Sequence, residues 1–255
     1  MLNRFSMGLK YKKNNVPILS QLEIEYLAKL LIQEYNSELL TTPKALDVDD
    51  FTEFFLELDI EYHHLSNNNC YFGMYVFNDS DRIPVNYPWD NTVRELTNKE
   101  RTILLDSDFD GTHNEKLRRF TLLHECSHAL LHRRYFERTD EQLALFDFND
   151  VVEGPEIQMH AAFVSQPVQG QVGRRKLETD HDWIEWQANT LASCLLMNET
   201  VMLLYLDQYD VNNLGSLKRI VLEHSIATQF DVSYEAAKVR LDVILSNHFS
   251  KGTLL

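Results

Sequence analysis

Basic residues are scarce in this chain. Lys and Arg number 24 against 39 Asp and Glu, a formal net charge of -15 at pH 7 with histidine neutral. A partner held mainly through phosphate contacts calls for clustered Lys and Arg, so direct nucleic-acid binding is not expected. Cysteine is scarcer still. Cys70, Cys126 and Cys194 are odd in number and irregular in spacing, which excludes a disulfide framework and reads as reduced thiols in a cytoplasmic protein. No apolar run approaches the roughly 18 residues of a membrane span, and MLNRFSMGLKYKKNNV lacks the apolar core of a secretory signal. No repeat or low-complexity tract is present.

What is present suits one large domain of 255 residues. Hydrophobic residues make up 44%, enough for a sizeable core, while 25% charged residues favour solubility. The acidic surface aids solubility or suits a partner with a basic patch.

Ser20-Gln21-Leu22-Glu23 forms a capping box, and Leu22, Tyr26, Leu27, Leu30 and Leu31 follow at helical spacing, predicting a helix over about 20–38. A short helix over 48–58 is expected after the Thr41-Thr42-Pro43 break. Residues 60–65, 71–77 and 102–106 are β-prone runs between turns rich in Asn, Asp and Pro, consistent with a small sheet. Helices are expected over about 114–136 and 183–197, and again over 200–247 with a break near 212–215. Between them, residues 138–180 lack a sustained period and carry Gly154, Pro155, Pro167, Gly170 and Gly173.

The sharpest signal is His124-Glu125-Cys126-Ser127-His128, an H-E-x-x-H pattern amid Phe120, Leu122, Leu123, Leu130 and Leu131. Histidines four apart lie above one another on a helix, so both rings can reach one ion. Glu125 lies about 100° round from His124, on the flank of that face, where it can take a proton from water without ligating. Polar residues along an otherwise buried helix are costly without a partner, which favours a metal over coincidence. Cys126 points away and reads as core.

A catalytic zinc needs a third protein ligand. The metzincin position, six residues past His128, is Arg134. His132 lies about 12 Å along the helix from His124, too far to share its ion, and reads as a hydrogen-bonded residue at the helix end. Glu185 is the better candidate. With Ala188, Ala192 and Leu196 it falls on one helical face, where the alanines permit close helix approach. On its own Glu185 would read as a surface carboxylate; beside H-E-x-x-H it reads as the third ligand. Asn189, beside the same face, is placed to accept the other N–H of a ligating histidine.

Two further patterns are weaker. Asp106-x-Asp108-x-Asp110-Gly111 opens like an EF-hand loop, but its twelfth position is Leu117 rather than Glu, so a turn is expected instead of a calcium site. Residues 214–248 have a helix-turn-helix rhythm with balanced charge, and packing against the core is expected over DNA contact.

The R-F-T-L-x-H-E-x-x-H-x-L-x-H segment from Arg119 to His132 and the E-x-x-A-N-x-x-A-x-x-L-L-M segment from Glu185 to Met197 resemble the ImmA/IrrE family of metallo-endopeptidases, as does Phe230–Leu241, FDVSYEAAKVRL. The resemblance implies an α+β fold with a zincin-like, gluzincin-type core, in which a small β-sheet packs on the helices carrying H-E-x-x-H and the downstream Glu, with helical N- and C-terminal parts. It implies one Zn2+ per chain on His124, His128 and Glu185, with Glu125 as general base activating a zinc-bound water. It also implies a cytoplasmic protein substrate, a helix-turn-helix transcriptional repressor. The spacing from His128 to Glu185 exceeds the family's, so part of 133–180 is expected to be an insertion, and 138–180 is expected to cover the cleft. No separate N-terminal helix-turn-helix domain is expected. The alternative is a non-catalytic, zinc-containing regulator that binds a repressor or DNA; a third is a stress-response regulator with weak, specific proteolysis. Tyr135, His160 and His181 are equal candidates for stabilising the oxyanion.

Overall fold

Ser20 starts the first helix, α1 (Gln21–Asn36), as its motif requires: its side chain accepts from the Glu23 N–H while Glu23 accepts from the Ser20 N–H at 2.7 Å. The buried stripe of α1 is Ile24, Leu27, Ala28, Leu31 and Ile32, and the apolar Leu22 and Tyr26 turn outward. The computed structural model describes residues 8–65, 72–79, 81–87, 89, 92–109, 115–136, 177–211 and 214–249. Most of the expected insertion at 138–180, and His160 within it, lies outside the described residues.

The short helix expected over 48–58 is a turn at Val48–Asp50 that widens into a π-turn at Phe51–Phe55. Phe51, Phe55 and Tyr35 cluster there with ring centroids 5.1–5.4 Å apart. Strand β1 (Asp59–His63) follows, then β2 (Gly73–Tyr75), the hairpin β3 (Asp81–Tyr87) and β4 (Thr92–Asn98), and β5 (Thr102–Asp106). The central sheet runs β1-β5-β2, with β1 parallel and β2 antiparallel to β5. The β3–β4 ribbon was not expected. Ile83 and Val85 are buried at alternate positions, but Pro84 and the largely exposed β4 blur the period of the pair.

Strand β5 explains its own uninterrupted apolar run, because it is buried on both faces. Ile103 and Leu105 join the main core with the helices, whereas Leu104 packs with Leu65, Met74, Val76, Ile83 and Val85 on the other side.

Helix α2 (Glu115–Leu131) lies against β2 and β5 and is buried over most of its length. It stops at Leu131, and Arg133–Phe136 forms a separate turn, so the single helix expected over 114–136 is divided at His132. Helix α3 (Asp180–Leu196) opens with a second capping box, Thr179 with Asp182, and packs against both α2 and α1. Three more helices follow: α4 (Glu199–Leu206), α5 (Ser216–Gln229) and α6 (Tyr234–His248). Arg240 of α6 ties the two ends of the chain together. It forms a buried bidentate pair with Glu25 of α1 and donates from Nε to the Met197 carbonyl at 2.9 Å. The chain is therefore α+β with a small mixed sheet, as expected. No helix among the described residues is long and apolar enough to cross a membrane.

Candidate metal centre

One helical turn separates His124 from His128, and their Nε2 atoms lie 3.0 Å apart. Glu185 approaches from α3 with Oε2 3.4 Å from His124 Nε2 and Oε1 3.4 Å from His128 Nε2. Among the described residues these three form the group of His, Cys, Asp or Glu close enough to hold an ion, each offering a ligand atom within 4.8 Å of the others. The helices can approach this closely because α3 presents Ala188 and Ala192, both fully buried. Both histidines are fully buried, and the Glu185 side chain retains 16% exposure, so the cluster meets solvent on the Glu185 side.

These distances fit a metal. Two ligand atoms about 2.1 Å from a shared ion at a tetrahedral angle lie about 3.4 Å apart, close to the separations seen. Two imidazoles and a carboxylate are also a donor set that zinc accepts.

The backs of both rings are held. His124 Nδ1 lies 3.1 Å from Asn189 Oδ1, so the structure brings together the pair considered from sequence. His128 Nδ1 lies 3.0 Å from His132 Nδ1, His132 Nε2 lies 3.0 Å from Gln187 Oε1, and Gln187 donates to the Pro17 carbonyl at 2.8 Å. His132 thus sits behind the His128 ring, away from the cluster.

Glu125 lies beside the cluster and is completely buried. Neither of its carboxylate oxygens makes a well-formed hydrogen bond; the Tyr75 backbone on β2 supplies a weak one at most. Burial, and then the negative charge of Glu185, push its carboxyl well above the usual range. Such a group calls for a proton, a cation or a polar ligand nearby. Gly73 on β2 makes the room for it, since a Cβ there would lie 3.1 Å from Glu125 Oε1. Cys126, between the histidines in sequence, is on the opposite side, with Sγ 3.3 Å from Thr52 Oγ1 in the core. Burial raises its thiol to about 12.

Of the remaining candidates, His181 lies beside the cluster, its half-exposed ring placing Nδ1 3.9 Å from Glu185 Oε1, and Tyr135 stands edge-on to Phe136 with centroids 4.8 Å apart. The Asp106 carboxylate accepts from the Leu65 N–H at 2.9 Å, and residues 110–114 of the turn expected there lie outside the described residues. Sequence reasoning missed Gln187 and Gly73. Gln187 offered one signal, an amide among apolar positions on the helix that carries Glu185. Gly73 offered none, because its neighbours come from another element.

An α+β frame with two imidazoles on one helix, a carboxylate on a second and a fully buried acid alongside suits a metal-dependent hydrolase. Residues 174–242 match the family model described as the IrrE N-terminal-like domain, a peptidase family. The match supports membership of the ImmA/IrrE family and a metallopeptidase-type function. It includes Glu185 and Asn189, while the H-E-x-x-H helix lies upstream of the matched residues. No curated protein matches the chain.

Proposed function

We propose that this chain is a zinc-dependent endopeptidase with a zincin-like core, in which His124, His128 and Glu185 hold the metal and Glu125 is the general base. The observation that carries the reading is the convergence of three ligand atoms beside a buried carboxylate with no well-formed hydrogen bond of its own. Zinc would supply Lewis acidity there, polarising a scissile carbonyl and acidifying water. The two imidazoles would hold the ion through Nε2, since their Nδ1 atoms are engaged behind them. Glu185 would add the negative charge that offsets part of the dication. Glu125, flanking the ligand face, takes the proton from the attacking water and delivers it to the leaving amine.

The family resemblance suggests the substrate: a cytoplasmic helix-turn-helix transcriptional repressor, whose cleavage would relieve repression. The buried free thiols Cys126 and Cys194 accord with a reducing compartment. The test is to load the full chain with zinc, incubate it with candidate repressors and map fragments by mass spectrometry. Cleavage that disappears on chelation supports the reading. Elemental analysis should show one zinc per chain and clearly weaker retention in Glu185→Ala. Zinc retention unchanged by that substitution sinks the ligand assignment.

A further inference from the structure

We infer that His132 and Gln187 are positioning residues for the metal centre: with the Pro17 carbonyl they form a hydrogen-bond chain whose direction makes His128 Nε2 an electron-pair donor. The inference rests on the metal reading above and adds to it two residues and a polarity.

With both rings neutral, the chain has one consistent order. A backbone carbonyl can only accept, so the Gln187 amide must turn its NH2 group to Pro17, at 2.8 Å. That leaves Gln187 Oε1 facing His132 Nε2 at 3.0 Å, and an amide oxygen also only accepts. His132 Nε2 must therefore carry a hydrogen. In the neutral ring Nδ1 then has the lone pair, and it lies 3.0 Å from His128 Nδ1. His128 supplies the hydrogen of that contact, which places its own lone pair on Nε2, toward His124 and Glu185.

Asn189 does the same for His124 in a single step, through Nδ1 at 3.1 Å. Two lone pairs 3.0 Å apart, with a carboxylate 3.4 Å from each nitrogen, repel one another unless a cation lies among them. The reverse order would turn an N–H of His128 toward the centre and set the Gln187 oxygen against the Pro17 oxygen. His128, His132 and Gln187 are all fully buried, so water does not readily exchange into the chain.

The origin of the order lies outside the centre, in the segment ahead of α1. Pro17 is fixed there by a bridge to Tyr11. Tyr11 lies under the Arg134 guanidinium, 4.6 Å from its ring centroid, and Lys12 pairs with Asp180 at the start of α3 at 2.9 Å. This segment, far from the ligands in sequence, therefore helps set the tautomer of one of them. Outer partners of this kind orient metal-bound imidazoles and raise their donor strength.

The test uses the full chain, labelled with 15N and loaded with zinc. Long-range proton–nitrogen correlations of the histidine rings should show His132 protonated on Nε2 and His128 on Nδ1. Gln187→Leu should lower zinc affinity about 10–100-fold, measured by chelator competition. A zinc-loaded wild type with His132 protonated on Nδ1 overturns the relay, even if the Gln187 variant fails to fold. Equal affinities for wild type and Gln187→Leu also overturn it. A wild type that binds no zinc defeats the metal reading itself, which distinguishes the two failures.

Discussion

Gly73 stands directly against Glu125: a Cβ at residue 73 would lie 3.1 Å from Glu125 Oε1 and 2.7 Å from Thr121 Cγ2. The second distance is shorter than any ordinary contact, and both neighbours are buried. Gly73→Ala should therefore shift α2 against β2, destabilising the chain by about 1–3 kcal/mol. Peptide hydrolysis should fall further than zinc content, because Glu125 is displaced before the ligands are. Thermal unfolding with parallel metal analysis checks this; a variant with full stability and activity would mean the contact relaxes without cost.

Glu125→Gln should keep the fold and the zinc and lose hydrolysis by about 10²–10⁴-fold, the usual worth of a positioned base. The amide retains the shape of a completely buried side chain but cannot take the proton. Metal content and turnover measured on the same preparation decide it. Loss of zinc would make Glu125 a ligand.

Arg240→Met should leave Glu25 buried without its charge partner and cost about 3–5 kcal/mol in denaturant unfolding. Arg240 also donates to the Met197 carbonyl at the end of α3, so part of the loss belongs to that bond. Adding Glu25→Leu should return much of the stability, since an apolar pair of similar volume often replaces a buried ion pair without penalty. A double variant no better than the single would show that the pair is not the source of the loss.

Asp49 receives both terminal nitrogens of Arg118, at 2.8 and 2.7 Å, and these hydrogen bonds hold its carboxyl below the ordinary range. A depressed folded value contributes stability above the unfolded value, near pH 4, and that contribution is lost as pH falls through the folded value. Asp49→Asn should therefore lower stability at pH 7 and flatten the acid limb below about pH 4. With 45% of the side chain exposed, solvent screening limits the effect to about 0.5–1 kcal/mol. Urea midpoints at pH 3 and pH 7 for both chains measure it.

The local rules written into the chain determined a good deal. Capping at Ser20, the four-residue spacing of His124 and His128, and the face shared by Glu185, Ala188 and Ala192 depend on helical geometry alone, so they could be read without a fold. The β3–β4 ribbon was illegible because its strands lean on the sheet with one face only and Pro84 interrupts the pattern. The division of helix α2 at His132 was likewise hidden. His132 turns back to His128 and across to Gln187 on α3, contacts that its own sequence neighbourhood does not encode. Tertiary structure alone decided which buried polar groups meet. The Pro17 carbonyl behind Gln187, Gly73 against Glu125 and Arg240 on Glu25 join residues from separate elements, and nothing in the spacing along a chain encodes the direction in which two packed elements face.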